Sequence, residues 1–206
     1  MSSPRLTELL DAPSTRIADI AAWLDARSHD ERVAATRELT RAQQRILYTR
    51  ASLAPAITLE HFVPKDRPDL TEVRHHGRNT LPLPASLRVF EKRFCRPGDG
   101  SQRLFGYNEG ASRGWIGPGY FVARPTKENP VWAARGDIVV DYFMVPDGPV
   151  AETWPPVVPN HQGLQWFVYN GTRDFMRRVS EHVSIGAAFK GERALGHYFV
   201  LVREDV

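Results

Sequence analysis

The stretch Ala194-Leu-Gly-His-Tyr-Phe-Val-Leu-Val202 is apolar on both of its sides, and it decides the predicted fold. Side chains alternate between the two sides of a β-strand. One side carries Leu195, His197, Phe199 and Leu201, and the other carries Tyr198, Val200 and Val202. A strand that is apolar on both sides is buried on both sides. We therefore expect one side to face the inside of a barrel or cavity and the other to pack on a layer of helices.

Away from this strand, the composition of the chain changes near Pro55. The 206 residues include 15 glycines, all at or after Gly77, and 21 aromatic residues (5 Trp, 6 Tyr and 10 Phe), of which only Trp23 and Tyr48 precede residue 58. The hydrophobic fraction, 42%, is ordinary for a globular protein. We predict a single domain over residues 1–206, with a helical N-terminal subregion at 1–56 and a β-rich, aromatic subregion at 58–206.

The N-terminal subregion has the sequence signals of an α-helical hairpin. Apolar residues recur at helical spacing from Ile17 to Leu24. Ser28 followed three residues later by Glu31 is a capping box, which marks the start of a further helix. Its apolar residues keep the helical period until Pro55, where we expect the helix to end.

The second subregion alternates prolines and glycines with short runs rich in Val, Phe, Tyr and Trp, which favours strands. The predicted strands are Leu59–Val63, Ser86–Phe94, Gln102–Tyr107, Tyr120–Arg124, Asp137–Val145, Leu164–Tyr169, His182–Phe189 and Ala194–Arg203. Thr172–Val183 fits a helix and a strand equally well, and the polar segment Pro64–Pro84 is predicted to be a surface loop. Because no helical pattern alternates with the strands, the sheet should be mainly antiparallel. We predict an α+β fold in which the helical hairpin packs on a curved, mainly antiparallel β-sheet or partly open barrel.

Several classes of function lack their sequence signals. The net charge is small, 27 − 24 = +3, and no basic run exceeds Arg177-Arg178, so we expect no nucleic-acid partner. No apolar run approaches the roughly 20 residues of a membrane-spanning helix, so we expect no membrane partner. HExxH, CxxC, P-loop and GxSxG motifs do not occur, so we predict neither a cofactor nor a metal. Cys95 is the single cysteine, which indicates a reducing compartment and a soluble, cytoplasmic protein.

Three ionisable residues on or beside apolar strands are candidate catalytic groups. His182 and His197 lie in the predicted terminal hairpin, and Asp141 interrupts the apolar run from Ile138 to Val145. A polar group on an apolar strand needs a partner. Each residue therefore fits either a structural hydrogen bond or ion pair, with Arg124 as the partner of Asp141, or an acid–base role in a pocket.

Aromatic side chains mixed with hydrogen-bonding ones are typical of small-molecule sites, and this chain carries such a mixture between Gly106 and Arg124 and on the later strands. The residues predicted to bind a ligand are Tyr107, Glu109, Arg113, Trp115, Tyr120, Arg124, Tyr142, Trp166 and Phe199.

Three functions remain open from the sequence. The first is the binding of a small, partly hydrophobic molecule in a pocket of the β-rich subregion. The second is a cofactor-independent enzyme in the same pocket, with His197 or His182 as the base and Asp141 or Glu109 as the acid. The third is a non-catalytic interaction module that uses the arginine stripe at positions 37, 41 and 45 or the proline-rich segment Trp154–Pro159. The oligomeric state is not predicted.

Overall fold

The computed structural model describes residues 4–82, 84–111 and 113–205, and its main feature is a closed barrel of eight antiparallel strands in chain order. The strands are β1 (Val73–Asn79), β2 (Val89–Cys95), β3 (Leu104–Glu109), β4 (Phe121–Pro125), β5 (Ile138–Asp141), β6 (Thr172–Arg178), β7 (Val183–Lys190) and β8 (Arg193–Arg203). The mainly antiparallel sheet is confirmed, and its edges close because β1 pairs with β8.

The closing strand, β1, was not predicted. It lies within Pro64–Pro84, and the prediction of a surface loop there is wrong for Val73–Asn79. Charged residues such as Arg74 and Arg78 face outward, while His75 and Gly77 face the barrel interior. Because two of its inward positions hold a histidine and a glycine, the strand lacks the apolar alternation that identifies a half-buried strand.

Two predicted strands are short helices instead. Leu59–Val63 contains α5 (Leu59–Phe62), and Leu164–Tyr169 contains α8 (Gln165–Val168). Short apolar runs cannot be assigned to helix or strand by their period alone, which explains both errors. The ambiguity over Thr172–Val183 is resolved as a strand for Thr172–Arg178, because β6 pairs with β7 over its whole length and with β5 over its central residues. Two more short helices, α6 (Arg113–Ile116) and α7 (Pro130–Ala133), lie in connections between strands.

The N-terminal subregion consists of four helices, α1 (Leu6–Asp11), α2 (Ile17–Asp25), α3 (His29–Arg37) and α4 (Arg41–Arg50). The capping box at Ser28 is confirmed, with the Ser28 side chain accepting from the Glu31 amide. A second capping box, in which Thr40 accepts from the Gln43 amide, starts α4 and divides the single long helix that was predicted. No helix of the described residues is long and apolar enough to cross a membrane.

The two-sided burial predicted for β8 is confirmed. Phe199 and Leu201 belong to the apolar core inside the barrel. Val200 and Val202 pack under the N-terminal helices, against residues such as Leu47. The helices therefore cover one outer side of the barrel, on β7 and β8.

The barrel interior has two parts, which we call the packed half and the open half. The packed half is filled by Val73, Phe94, Leu104, Ala123, Ile138, Val140, Met176 and Leu201. The helix α5 closes this end. The ring centroids of Phe62 and Phe94 are 4.9 Å apart. The backbone carbonyl oxygen of Phe62 accepts a hydrogen bond from His75 Nε2 at 3.0 Å. Solvent and ligands thus have no access to the interior through the packed half.

Candidate functional site

A cavity of about 450 Å³ occupies the open half, at the opposite end of the barrel from α5. Because neighbouring strands run in opposite directions, the inward-facing lining residues precede the packed half on the even-numbered strands and follow it on the odd-numbered ones. Phe90 and Lys92 precede Phe94 on β2, and Asp174 precedes Met176 on β6. The wall near the mouth is apolar and includes Leu81, Leu87, Val89, Ile116, Val168 and Leu195. Volume and lining are those of a small-molecule pocket.

Three phenylalanine rings lie inside the barrel, and each stands opposite a glycine of the neighbouring strand; Phe90 and Phe199 line the cavity, and Phe121 belongs to the core beside it. The pairs are Gly77 with Phe90, Gly106 with Phe121 and Gly186 with Phe199. A Cβ at Gly186 would lie 2.2 Å from the Cζ of Phe199, and a Cβ at Gly106 would lie 2.3 Å from the ring of Phe121. The glycines therefore provide the space into which the aromatic rings fold.

A buried polar cluster lies at the inner end of the cavity and centres on Lys92. The Lys92 Nζ donates to Asn108 Oδ1 at 3.0 Å and to the Tyr142 hydroxyl, and it lies 3.3 Å from Asp174 Oδ2. Asn108 Nδ2 donates to the Gly119 carbonyl at 2.9 Å, which fixes the orientation of the amide. Tyr169 stacks on Tyr142, with ring centroids 5.2 Å apart. Each member of the cluster is thus held by a second contact.

Burial governs the acid–base properties of this cluster. It lowers the pKa of Lys92, and the neighbouring Asp174 opposes that shift. It raises the pKa of Asp174, which Lys92 opposes in turn. It also raises the pKa of the Tyr142 hydroxyl well above its usual value. The tyrosine is therefore neutral at pH 7, and Lys92 and Asp174 compensate each other in low-dielectric surroundings.

Aromatic faces surround the ammonium group as well. The Lys92 Nζ lies 4.8 Å from the ring centroid of Phe121, 4.9 Å from that of Tyr142 and 5.0 Å from that of Phe199. Such contacts stabilise a desolvated cation.

The mouth of the cavity carries a second ion pair and a histidine. Glu109 Oε1 accepts from Arg113 Nε at 2.7 Å. His197 lines the cavity between Leu195 and Phe199, and partial burial together with Arg41 lowers the pKa of its imidazole. The imidazole is therefore uncharged at pH 7.

The structure brings five of the predicted site residues together in the cavity, namely Glu109, Arg113, Tyr142, His197 and Phe199. Trp115 and Trp166 do not line it. They lie on α6 and α8 beside the mouth, with 67% and 50% of their surface exposed. Ile116 and Val168 from the same helices do line the cavity.

Two of the predicted ligand-binding residues lie on the outer side of the barrel. Tyr107 and Tyr120 pack against Trp154, under the segment that contains Ala151. The Trp154 indole N–H donates to Glu72 at 2.7 Å, which fastens this segment to the barrel. The side chains of β3 and β4 that point inward are Asn108 and Phe121 instead, because alternate residues take opposite sides.

Asp141 and Arg124 also lie outside the cavity, contrary to the predicted pocket. Asp141 Oδ2 accepts from Arg124 Nη2 and from Arg173 Nε, each at 3.0 Å. Of the two roles predicted for Asp141, the structure therefore shows the ion pair with Arg124. Val140 and Tyr142, the residues on either side of Asp141, point into the barrel instead.

His182 is likewise remote from the cavity, because it lies at the packed end of the barrel. Its Nδ1 is 3.3 Å from the C-terminal Asp205. The predicted acid–base residues therefore do not lie together. Of the two predicted histidines, only His197 lines the cavity.

The residues that sequence reasoning missed are Lys92 and Asp174, whereas Asn108 lies in the stretch after Gly106 that was predicted to mix aromatic with hydrogen-bonding side chains. Lys92 carried a usable signal, since it alternates with Phe90 and Phe94 on one side of a predicted strand. Asp174 had no such signal, because the segment Thr172–Val183 was not assigned to helix or strand.

Within residues 4–82, 84–111 and 113–205, no group of three or more His, Cys, Asp or Glu side chains is arranged to hold a metal ion. Cys95 is buried among Phe105 and Tyr107 on the outer side of the barrel. Burial raises the pKa of its thiol to about 12, so the nucleophilic thiolate is not populated at pH 7.

Comparison of the chain with protein-family models, with curated proteins and with solved structures finds no match.

Proposed function

We propose that the protein binds a small, partly hydrophobic molecule in the open half of the barrel. One observation carries the proposal: a cavity of about 450 Å³ with an apolar wall ends at a buried cluster of hydrogen-bonding side chains. Eight-stranded barrels are wide enough to hold one small ligand. The apolar wall supplies binding free energy through the area it removes from water, and the polar groups select the ligand.

The packed half supports this function by making the cavity blind. Because α5 and the rings of Phe62 and Phe94 fill the other end, a ligand enters and leaves at the mouth between α6 and α8. The single buried cysteine agrees with the cytoplasmic location that the sequence predicts, and that location remains part of the proposal.

The cofactor-independent enzyme is the weaker alternative. His197 and Glu109 line the same cavity, but Glu109 Oε1 already accepts a hydrogen bond from Arg113 Nε at 2.7 Å. Neither Asp141 nor His182 reaches the cavity. No specific observation favours the interaction module, because the helix break at Thr40 divides its arginine stripe and Arg41 donates to the Gly196 carbonyl.

The experiment is a fluorescence titration with the neutral probe N-phenyl-1-naphthylamine, whose emission rises in an apolar site. We expect saturable binding with one probe per chain. In Ala188→Phe, a ring enters the cavity from β7, and binding should fall at least about tenfold. Ala194→Phe adds the same ring at an exposed position of β8 and is the matched control. No saturable binding by the folded wild-type protein, or equal binding by both variants, would contradict the proposal.

A further inference from the structure

We propose that the cavity selects an electrically neutral ligand, one whose polar end is a hydroxyl or a carbonyl, over carboxylates and amines of the same shape. This inference rests on the proposed function and names the class of molecule that the site takes. It follows from the way in which the charges of the cavity are paired.

Every charged side chain among the described residues that line the cavity has a partner of opposite charge in the same lining. Lys92 lies 3.3 Å from Asp174, and Arg113 lies 2.7 Å from Glu109. The charges of each pair sum to zero, wherever the proton shared by Lys92 and Asp174 resides. The site therefore offers no uncompensated charge to an ionic ligand.

The hydrogen-bonding capacity of Lys92 is also used within the protein. An ammonium group has three N–H donors. Asn108 and the Tyr142 hydroxyl accept two of them, and the third faces Asp174. A ligand carboxylate would have to displace one of these acceptors, and the displaced group would then be left unsatisfied in a buried place.

The difference in exposure between Lys92 and Asp174 disfavours the binding of an anion in particular. The Asp174 side chain is 9% exposed, whereas that of Lys92 is 2% exposed. A negatively charged ligand thus meets the carboxylate before the ammonium. A cation meets a carboxylate that is already compensated, and it loses its own hydration on entry. We expect the order of affinity alcohol, then amine, then carboxylate.

Uncharged hydrogen-bonding side chains remain for a neutral ligand. Asn79, Tyr142, Thr172 and His197 line the same cavity. None of them carries a charge at pH 7, because Asn and Thr do not titrate, the Tyr142 hydroxyl is protonated and the imidazole of His197 is neutral. A hydroxyl or carbonyl can pair with such groups without the desolvation cost of an ion.

The test compares three compounds of equal chain length, decanol, decanoate and decylamine, as competitors of N-phenyl-1-naphthylamine at pH 7. We expect decanol to displace the probe at a concentration about tenfold or more below that of decanoate, with decylamine between them. Tighter binding of decanoate than of decanol would overturn this inference and leave the proposed function intact. Absence of probe binding would instead refute the proposed function.

A charge variant makes the test specific for the inner pair. Asp174→Asn keeps the shape and leaves Lys92 as an uncompensated cation, so decanoate should gain at least about tenfold relative to decanol. Glu192→Gln is the matched control, because it removes the ion-pair partner of Arg135, and both residues lie outside the cavity lining. Its relative affinity for decanoate should change by less than about threefold. Equal effects of the two variants would contradict selection by the inner pair, and the wild-type series decides the question alone if Asp174→Asn does not fold.

Discussion

The two halves of the barrel interior are built by the same eight strands, yet one half is solid and the other is hollow. In the packed half, inward side chains such as Phe94 and Met176 meet at the barrel axis, and α5 adds Phe62 from outside. In the open half, no described residue fills the corresponding space, and the charged pair Lys92–Asp174 lies at the boundary. An eight-stranded barrel can be filled by side chains or hold a ligand. Here one end is filled by side chains, and the other encloses a cavity of about 450 Å³.

The difference shows how buried apolar side chains and open space are divided along the barrel axis. Apolar burial in the packed half contributes most of the interior stabilisation, because every large side chain there is excluded from water. A buried ion pair is weak evidence of stability, because desolvation offsets the attraction between its charges. The pair at the boundary is thus not needed to explain the stability of the fold, and the proposed selection of a neutral ligand would give it a role.

Truncation of a ring in the packed half should have the largest effect on stability. Phe94→Ala removes a fully buried ring, and we expect the free energy of unfolding to fall by about 3–5 kcal/mol. Phe90→Ala is the matched change in the open half, and it should cost much less because Phe90 borders a cavity that already exists. Urea denaturation of the two variants measures the difference, and equal losses would contradict the division into two halves.

Removal of the buried cation should come next. Lys92→Met leaves Asp174 buried without its partner, and we expect a loss of about 3 kcal/mol in the free energy of unfolding. The double variant Lys92→Met/Asp174→Leu removes both charges and should recover most of that loss. A double-mutant cycle by urea denaturation tests this, and additive losses would show that the two side chains do not interact.

The two halves should also differ in their response to acid. His75 in the packed half is fully buried, and burial lowers its pKa from 6.5 to about 3. As the pH falls below 6.5, the unfolded chain binds a proton that the folded chain does not, so stability is lost between pH 6.5 and 3. At pH 5 the loss attributable to this residue is about 2 kcal/mol relative to pH 7.

The matched variants are His75→Gln and His197→Gln. Urea denaturation at pH 7 and pH 5 should show a clearly smaller pH dependence for His75→Gln than for the wild type. The buried His61, whose pKa is also lowered, supplies part of the remaining dependence. His197→Gln should reduce the pH dependence less than His75→Gln does, because His197 is only partly buried and borders the cavity. A larger reduction of the pH dependence in His197→Gln than in His75→Gln would place the main acid-sensitive group in the open half.

The smallest expected effect on stability comes from the glycines behind the aromatic rings. In Gly186→Ala the new Cβ would lie 2.2 Å from Phe199 Cζ, so the ring must move into the cavity. We expect a loss of about 1–3 kcal/mol and a weaker affinity for the neutral probe. Gly148→Ala is the control, because its nearest neighbour, Phe105, is 3.8 Å away and lies outside the barrel. Unchanged probe affinity in Gly186→Ala would show that Phe199 does not bound the cavity.

The sequence was sufficient to predict the barrel-and-helix arrangement from one strand, because β8 is apolar on both sides and both contacts exist. Closure of the barrel was not predictable in the same way. The strand that closes it has His75 and Gly77 at inward positions, and their burial depends on Phe62 and Phe90 from other elements.

The site was predictable only in part for a related reason. Tyr142, His197 and Phe199 were identified from strand composition, but the inward or outward direction of Tyr107, Tyr120 and Asp141 depends on the register of β3, β4 and β5. A shift of one residue exchanges the two sides of a strand. Sequence periodicity could not fix that register where both sides are apolar, as they are around Tyr107 and Asp141.

The most direct test of the central claim is a nuclear magnetic resonance titration of the wild-type protein with decanol, followed through methyl resonances. Leu87, Ala188 and Leu195 report on the open half, and Leu104, Ala123 and Met176 report on the packed half. We expect the first three resonances to shift saturably with one decanol per chain, while the other three stay in place. Equal shifts in both sets, or shifts confined to the packed half, would contradict the account.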